Sequence, residues 1–397
     1  MAGKVVVTGW GIVSALGFGV EENFQALKSA KSGVKLPEIL DSNYGNSKYC
    51  GEVRYTDHEL RELIGDFAKN IYCRTTLLGL LAVKEAISSS NLTDAILAAS
   101  KVINGTSVGG MVSTEKYHKL YTQNKNSEYK KFFKSHDCGY STDKIAEYLN
   151  SKGGTITIST ACSSSANSIM QAARYIKAGK CDVVIAGGTD ALSKFTINGF
   201  NSLKILDDQP CKPFDLNRQG LNLGEGAAYL VLESEEHALQ RGANILGQVV
   251  GYGNANDAHH QTASSPEGRG AGLAMTKALN MAGNIIIDYI NAHGTGTNNN
   301  DSSESTAIQN VFGENIPQFS STKAFTGHTL GAAGAIEAVY SLLSINKGVR
   351  FPCLRIEEPL EISSSSPILE VIESETSAVL SNSLGFGGNC TSLIFNK

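Results

Sequence analysis

The chain has 397 residues, of which 41% are hydrophobic and 18% charged, and carries a net charge of −4 at pH 7. That length fits two domains or one large fold built from two halves, with a core big enough to need no disulfide staples. The acid–base balance excludes a general nucleic-acid binder, and no run of ~18 residues is free of charge and glycine as a membrane span requires, so neither nucleic acid nor membrane is expected as a partner.

MAGKVVVTGWGIV lacks a cleavable signal pattern, and within it residues 4–8 (KVVVT) read as a buried strand ended by Gly9. Residues 21–29 and 74–88 read as helices; Leu77, Leu78, Leu81 and Val83 give the second an apolar face. A strand opens at 102–104 and stops at GTSVGG, a helix covers 143–150, and 155–160 is a strand followed by a helix over 164–178. DVVIA (182–186), 227–233 and 245–252 read as further strands. The alternation then restarts: helix 268–282, a strand inside 285–292 ending at HGTGT, helix 302–311, strand 318–322, helix 330–345, and closing strands at 379–382 and 391–395. Strands and helices alternating throughout predict a layered α/β fold with buried sheets. A weak internal echo supports two pseudo-duplicated halves, 1–250 and 251–397: Ser159-Thr160 precedes Cys162 and a helix, Ser321-Thr322 precedes Lys323, His328 and a helix, and LGEGAAYLVLE parallels LGFGGNCTSLIF.

The eight cysteines are nowhere spaced C-x-x-C, so they read as isolated thiols in a reducing, cytoplasmic setting. One stands out. In TISTACSSSANSIM a strand runs into Cys162 and a helix follows. A helix N-terminus favours a thiolate, the small residues after it let a substrate approach, and the Cys162 amide is a candidate oxyanion donor. A plain buried cysteine is the alternative. In NAHGTGTNNNDSSES, His293 follows a strand end, where ligands bind in α/β folds, and the Thr295 and Thr297 hydroxyls alternate with glycine. In SSTKAFTGHTLGAAGA, Lys323 and His328 sit five residues apart in a segment poor in other charges. In NSLGFGGNC, glycines flank Phe386, which suits a movable gate. A satisfied core histidine, a solvated helix entry and a hairpin turn are the respective alternatives. Together, a cysteine with imidazoles is the kit for forming and resolving a thioester.

At these residues the sequence resembles the elongating β-ketoacyl-acyl-carrier-protein synthases, from KVVVTGWGIVSALG through STACSSS, GGTDALS, NAHGTGT, STKAFTGHTLGAAGAIE and NSLGFGG. The resemblance implies a thiolase-like layered α-β-α-β-α fold. It implies that Cys162 is the acylated nucleophile, that His293 and His328 are paired histidines, that Lys323 supports His328, and that Glu304 is a buried acid behind the HGTGT turn. Thr295 and Thr297 would contact a phosphopantetheine arm. Phe386, with Gly387 and Gly388, would form the gate and give the second oxyanion amide. Val108 would floor the acyl tunnel, leaving room for a medium or long chain, and Phe133 would reach in from a partner subunit. Lys130, Lys131, Arg74 and Lys212 would greet an acidic acyl carrier protein, although a lysine cluster is also an ordinary solvated face.

The implied reaction is decarboxylative condensation of an acyl group on Cys162 with a malonyl thioester. It needs no metal or redox cofactor, the substrates riding on phosphopantetheine. A homodimer, or a heterodimer with a paralogous subunit, is expected. Fatty-acid elongation, a polyene or polyketide pathway, a non-catalytic chain-length-setting role and a coenzyme-A thiolase are the functions weighed. Two segments depart from the family pattern: Asn389-Cys390 replaces Thr-Asn after the gate, and Lys212-Pro213-Phe214-Asp215 replaces Arg-Pro-Trp-Asp. Cys390 reads as structural.

Overall fold

The computed structural model describes residues 3–40, 48–71, 73–362 and 365–397. Ten strands lie on the path of one sheet: β1 (Val5–Ser14), β2 (Lys101–Gly105), β3 (Thr155–Ile158), β4 (Val183–Asp190), β5 (Gly226–Ser234), β6 (Gly247–Asn256), β7 (Tyr289–Asn291), β8 (Gln318–Ser320), β9 (Ala378–Leu384) and β10 (Asn389–Asn396). Their order is β3-β2-β4-β5-β1-β6-β10-β9-β7-β8.

The pairing repeats. In the first set β2 is parallel to β3 and β4, while β4–β5 and β5–β1 are antiparallel. In the second, β7 is parallel to β8 and β9, while β9–β10 and β10–β6 are antiparallel. Among the described residues the strands of the two sets pair only where Val6 and Val7 meet Gln248 and Gly247. The echo in the sequence is therefore a duplication of strand topology.

Helices fill the layers. α1 (Arg74–Ser90) covers the outer face of the first set, and α3 (Arg269–Ala282) that of the second. Between the sets lie α2 (Ser164–Lys177) and α5 (Ala333–Lys347), and α4 (Asn298–Phe312) flanks α3. The result is the five-layer α-β-α-β-α arrangement. The middle layer is thin because its residues are small. A Cβ on Gly334 would stand 2.7 Å from the Cβ of Ala166, and one on Gly105 would stand 2.4 Å from the Ser165 amide nitrogen. Residues 333–345 of α5 are buried all round, as a helix between the two strand sets must be.

Gly9 does not end the first strand. β1 continues for ten residues because Gly9 and Gly11, on one strand face, admit α1: a Cβ there would meet the carbonyls of Ala86 and Ala82 at 2.5 and 2.1 Å. Helices at Met111–Asn124 and Lys194–Ser202 are not foreseen by the apolar pattern. Among the residues of the first only Ser113 is buried, so it shows no apolar stripe to read. No helix among the described residues is long and apolar enough to cross a membrane.

Candidate active site

The chemistry-bearing residues lie beyond the C-terminal ends of parallel strands, where α/β folds leave a crevice. After β3 the chain turns sharply. Ala161 takes φ +52, Cys162 follows, and α2 begins directly after Ser163. A non-glycine residue in the left-handed region stores strain, here directly before the thiol. Cys162 is 5% exposed, and the amides of Phe386 and of Cys162 itself point at its sulfur. The expected thiolate is not what this environment favours. Burial pushes the Cys162 thiol up to about 11, outweighing Lys323 and the two amides. Alkylation of Cys162 by iodoacetamide should therefore keep accelerating, by about tenfold per pH unit, well past the roughly 8.5 of an ordinary cysteine. A rate that levels off near that value would show a solvated thiol.

His293 follows β7, and Lys323 follows β8. These strands pair in parallel with Asn291 opposite Ser320, so the two side chains emerge as neighbours. Lys323 Nζ lies 3.2 Å from His293 Nδ1 and is ion-paired with Glu337 of α5. Lys323 thus supports His293, not His328 as expected; His328 comes after the turn formed by Lys323–Thr326. The two imidazoles meet edge to face, with centroids 5.2 Å apart.

Burial, and then the Lys323 charge, hold both histidines well below the ordinary imidazole value, so both are neutral at neutral pH. The ammonium of Lys323 donates to Nδ1 of His293, which leaves that ring's proton on Nε2. His328 Nδ1 has no hydrogen-bond partner among the described residues. The Cys162 sulfur and one nitrogen of each histidine all lie within 4.8 Å of one another.

Glu304 is buried as expected. It accepts the amides of His293 and Gly294, each at 2.8 Å, and the Asn382 amide at 3.1 Å. One helical turn earlier, Asp301 accepts the Thr295 amide at 2.9 Å. The two carboxylates share a face of α4 and shape the HGTGT turn between them.

A cavity of about 310 Å³ opens onto Cys162, His293 and His328, walled by Thr295, Thr297 and Phe386. The two threonine hydroxyls are 2.9 Å apart, and Phe386 stacks on Phe200 at 5.6 Å. Gly387 and Gly388 take φ near +80, as a tight turn behind the ring demands. The departure at Asn389 has a structural counterpart. Its side-chain oxygen takes hydrogen bonds from Ser163 (2.8 Å), Asn167 (2.9 Å) and Asn254 (2.9 Å), tying the strand after the gate to the helix that carries the nucleophile. Cys390 is buried at the cavity wall.

Four expected residues are not brought together with the site. Val108 packs in an apolar cluster with Leu192, Leu221 and Leu330, one layer behind the cavity wall. Phe133 is half-exposed against the Tyr121 ring. Arg74 is not a docking residue: it is buried and committed to Glu225 at 2.7 Å and Asp57 at 3.0 Å. Lys212 is mostly covered and pairs with Asp215 at 3.3 Å. Lys130 and Lys131 are exposed.

Three residues were overlooked. Glu337 is the lone charge in the apolar run GAAGAIEAVY, and a single carboxylate in so apolar a helix is a legible sign of a buried ion pair. Phe200 and the exposed Lys204, both at the cavity, carry no comparable signal.

Residues 2–238 match the family described as beta-ketoacyl synthase, N-terminal domain, and residues 246–357 match its C-terminal domain. The chain is 34% identical to a 3-oxoacyl-[acyl-carrier-protein] synthase 2 of Staphylococcus aureus, over 99% of this chain and 98% of that protein. Among solved structures it is similar to the ishigamide ketosynthase/chain length factor, with a TM-score of 0.94 and 31% identity over 100% of both chains. It is also similar to a type II polyketide-synthase acyl-carrier protein in complex with its ketosynthase bound to the hexaketide, with a TM-score of 0.87 and 28% identity over 100% of both chains.

Proposed function

The chain belongs to the β-ketoacyl synthase family, and from that premise we propose that it condenses an acyl group held on Cys162 with malonyl-acyl-carrier-protein to give 3-oxoacyl-acyl-carrier-protein, in fatty-acid elongation. The observation that carries this reading is the convergence of the Cys162 sulfur and two neutral imidazoles within 4.8 Å on one cavity.

Acylation begins with a protonated thiol, so a base is required. His293 has its Nδ1 occupied by Lys323 and its proton on Nε2, which makes it a donor; His328 is the ring free to take the Cys162 proton. The sulfur attacks the thioester carbonyl. The amides of Cys162 and Phe386 receive the oxyanion, each such donor being worth about 3–4 kcal/mol. The tetrahedral intermediate collapses to acyl-Cys162, and the departing carrier thiolate takes the proton back from His328.

Malonyl thioester then occupies the same cavity, with the Thr295 and Thr297 hydroxyls placed to meet its phosphopantetheine arm. The bond to its carboxylate breaks, CO₂ leaves, and the electron pair becomes an enolate. Neutral His293 donates from Nε2 to the enolate oxygen, which an imidazole without a proton there could not do. The enolate carbon attacks acyl-Cys162, the carbon–sulfur bond breaks, and the thiolate takes one proton from solvent, the proton that decarboxylative condensation consumes overall. The electrons come from the malonyl carboxylate, so the residues here need neither a metal nor a redox cofactor.

The acidic carrier protein is taken to dock on the exposed lysines Lys130, Lys131 and Lys204, the last at the cavity itself. Reversing the charge of all three should raise KM for carrier-bound substrate roughly fivefold or more at low salt while leaving kcat unchanged, and the gap should shrink as salt rises. A KM that ignores both charge and salt would move docking elsewhere. The half-exposed Phe133 suits a residue that serves a second subunit, and a cytoplasmic dimer completes the reading.

A second reading is favoured by the overlay on the ishigamide ketosynthase/chain length factor: a polyene or polyketide ketosynthase working with a paralogous subunit. The experiment for both is product mass after incubation with acyl- and malonyl-carrier protein. A 3-oxoacyl product two carbons longer, made by this chain alone, supports elongation. Turnover only after a paralogue is added supports the second reading. No product under either condition overturns both.

A further inference from the structure

The two amides that receive the oxyanion come from distant parts of the chain. One belongs to Cys162, on the turn that opens α2, and the other to Phe386, on the gate before β10. Such donors work only when they already point to where charge develops, so their separation has to be fixed in advance. Asn389 touches the neighbours of both. Its backbone carbonyl accepts the Gly385 amide at 2.8 Å, which closes the gate loop on itself beside Phe386. Its side-chain oxygen accepts from Asn167 of α2 and Asn254 of β6, each at 2.9 Å, and lies 2.8 Å from the hydroxyl of Ser163, the residue after Cys162. That hydroxyl is shared with the Thr160 carbonyl at 2.7 Å, at the start of the same turn. Among the described residues no other side-chain hydrogen bond joins residues 385–390 to residues 160–177. The loop lies directly on the turn: a Cβ on Gly385 would stand 2.8 Å from the Thr160 carbonyl oxygen and 3.3 Å from the Cys162 nitrogen. The front of the gate is held elsewhere, by Gln261 and Asn256 at 2.8 and 2.9 Å from Gly387.

We propose that Asn389 is the positioning residue of the oxyanion hole: it sets the separation of the Cys162 and Phe386 amides by bonding to the neighbour of each. The inference rests on the condensation proposed above, in which Cys162 is acylated. The residue type suits the task. The donors converge on an oxygen that stands beyond Cγ, whereas the threonine of the family pattern carries its oxygen on Cβ, too short to meet the Asn167 and Asn254 amides. The side chain also reaches from fixed ground. Asn389 opens β10 and pairs with Asn256 of β6, while Phe386 rides on a loop where a Cβ on Gly387 would meet nothing within 4 Å. The ring has room to swing aside for substrate; Asn389 keeps the rear of the loop in register, and the amide returns to the same place.

The test compares two reactions of one sulfur in the full chain at one pH. Acyl transfer to Cys162 passes through an oxyanion; alkylation by iodoacetamide does not, and reports only that the thiol is present and reachable. Both are followed by intact-protein mass in single turnover, with the acyl-carrier protein that wild type accepts best. Asn389→Ala should slow acyl transfer by about 10²-fold, the effect of displacing a reacting group or its donor by roughly an ångström, while alkylation stays within about threefold of wild type. Asn389→Asp offers an oxygen of the same reach to the same donors and should recover the ratio of the two rates. If Asn389→Ala does not fold, Asn389→Ser keeps a polar group in the space but is too short to meet the donors, and the same fall is expected. An equal fall in both reactions overturns the proposal, because Asn389 would then be a packing element of the whole site. Acyl transfer at the wild-type rate in the alanine or serine variant overturns it too, as does a ratio in Asn389→Asp no better than in Asn389→Ala. A wild-type chain that takes iodoacetamide but no acyl group overturns the condensation itself, and this inference with it.

Discussion

A Cys162→Ala variant is expected to lose condensation by at least about 10³-fold and to form no acyl adduct, while still releasing CO₂ from malonyl-carrier protein. The loss follows from covalent catalysis: removing the nucleophile of a concerted unit costs up to roughly 10⁶ in kcat. The retained decarboxylation follows from the division of labour in the site. CO₂ loss needs a donor for the enolate oxygen, and that is His293, held by Lys323, Glu304 and the α4 turn rather than by the thiol. The check is intact-protein mass after exposure to acyl-carrier protein, alongside CO₂ release from the malonyl substrate. An adduct on the variant would place the nucleophile elsewhere. Loss of decarboxylation together with condensation would mean that the sulfur takes part in both halves of the reaction.

How much of this was legible beforehand depended on what each residue needed from distant chain. Cys162, His293 and His328 each follow a strand and a glycine or small-residue turn, so local pattern located them, and the alternation of strands and helices located the layers. The state of the site was less legible. The helix start beside Cys162 argued for a thiolate, yet the sulfur is buried beside the Phe386 amide, and burial decides its protonation. The resemblance implies His328 as the partner of Lys323, whereas strand register sets Lys323 beside His293. Arg74 fails for the same reason: a cation near a helix start looks solvated until Glu225, from the far end of another loop, is found beneath it. Glycines were the most ambiguous letters. Gly9 reads as a stop, but with Gly11 it serves as the flat face on which α1 rests.

The second large effect concerns the Lys323–Glu337 pair, both members of which are 3% exposed or less. Lys323→Ala should lower stability by about 3–5 kcal/mol, because it strands a carboxylate in the middle layer. It should also lower kcat by about 10²–10³-fold, because His293 no longer carries its proton on Nε2 by necessity and one preorganised enolate donor is lost. The two losses have different causes, and a double variant separates them. Lys323→Met with Glu337→Leu removes both charges and fills the space with apolar atoms, and replacing a whole buried pair this way is often neutral or stabilising. Its thermal midpoint should return close to wild type while its kcat stays low. If kcat recovered with the midpoint, Lys323 would be a packing element and the fixed tautomer of His293 would play no part in the reaction. If neither recovered, the small-residue packing of α5 against α2 would be what the pair maintains, since a Cβ at Gly334 would stand only 2.7 Å from that of Ala166, closer than side-chain atoms can come. The outcome with stability restored and activity absent is the one the geometry requires. The ammonium lies 3.2 Å from a ring nitrogen that faces away from the substrate, a position from which it can act on the reaction only by setting where the proton sits.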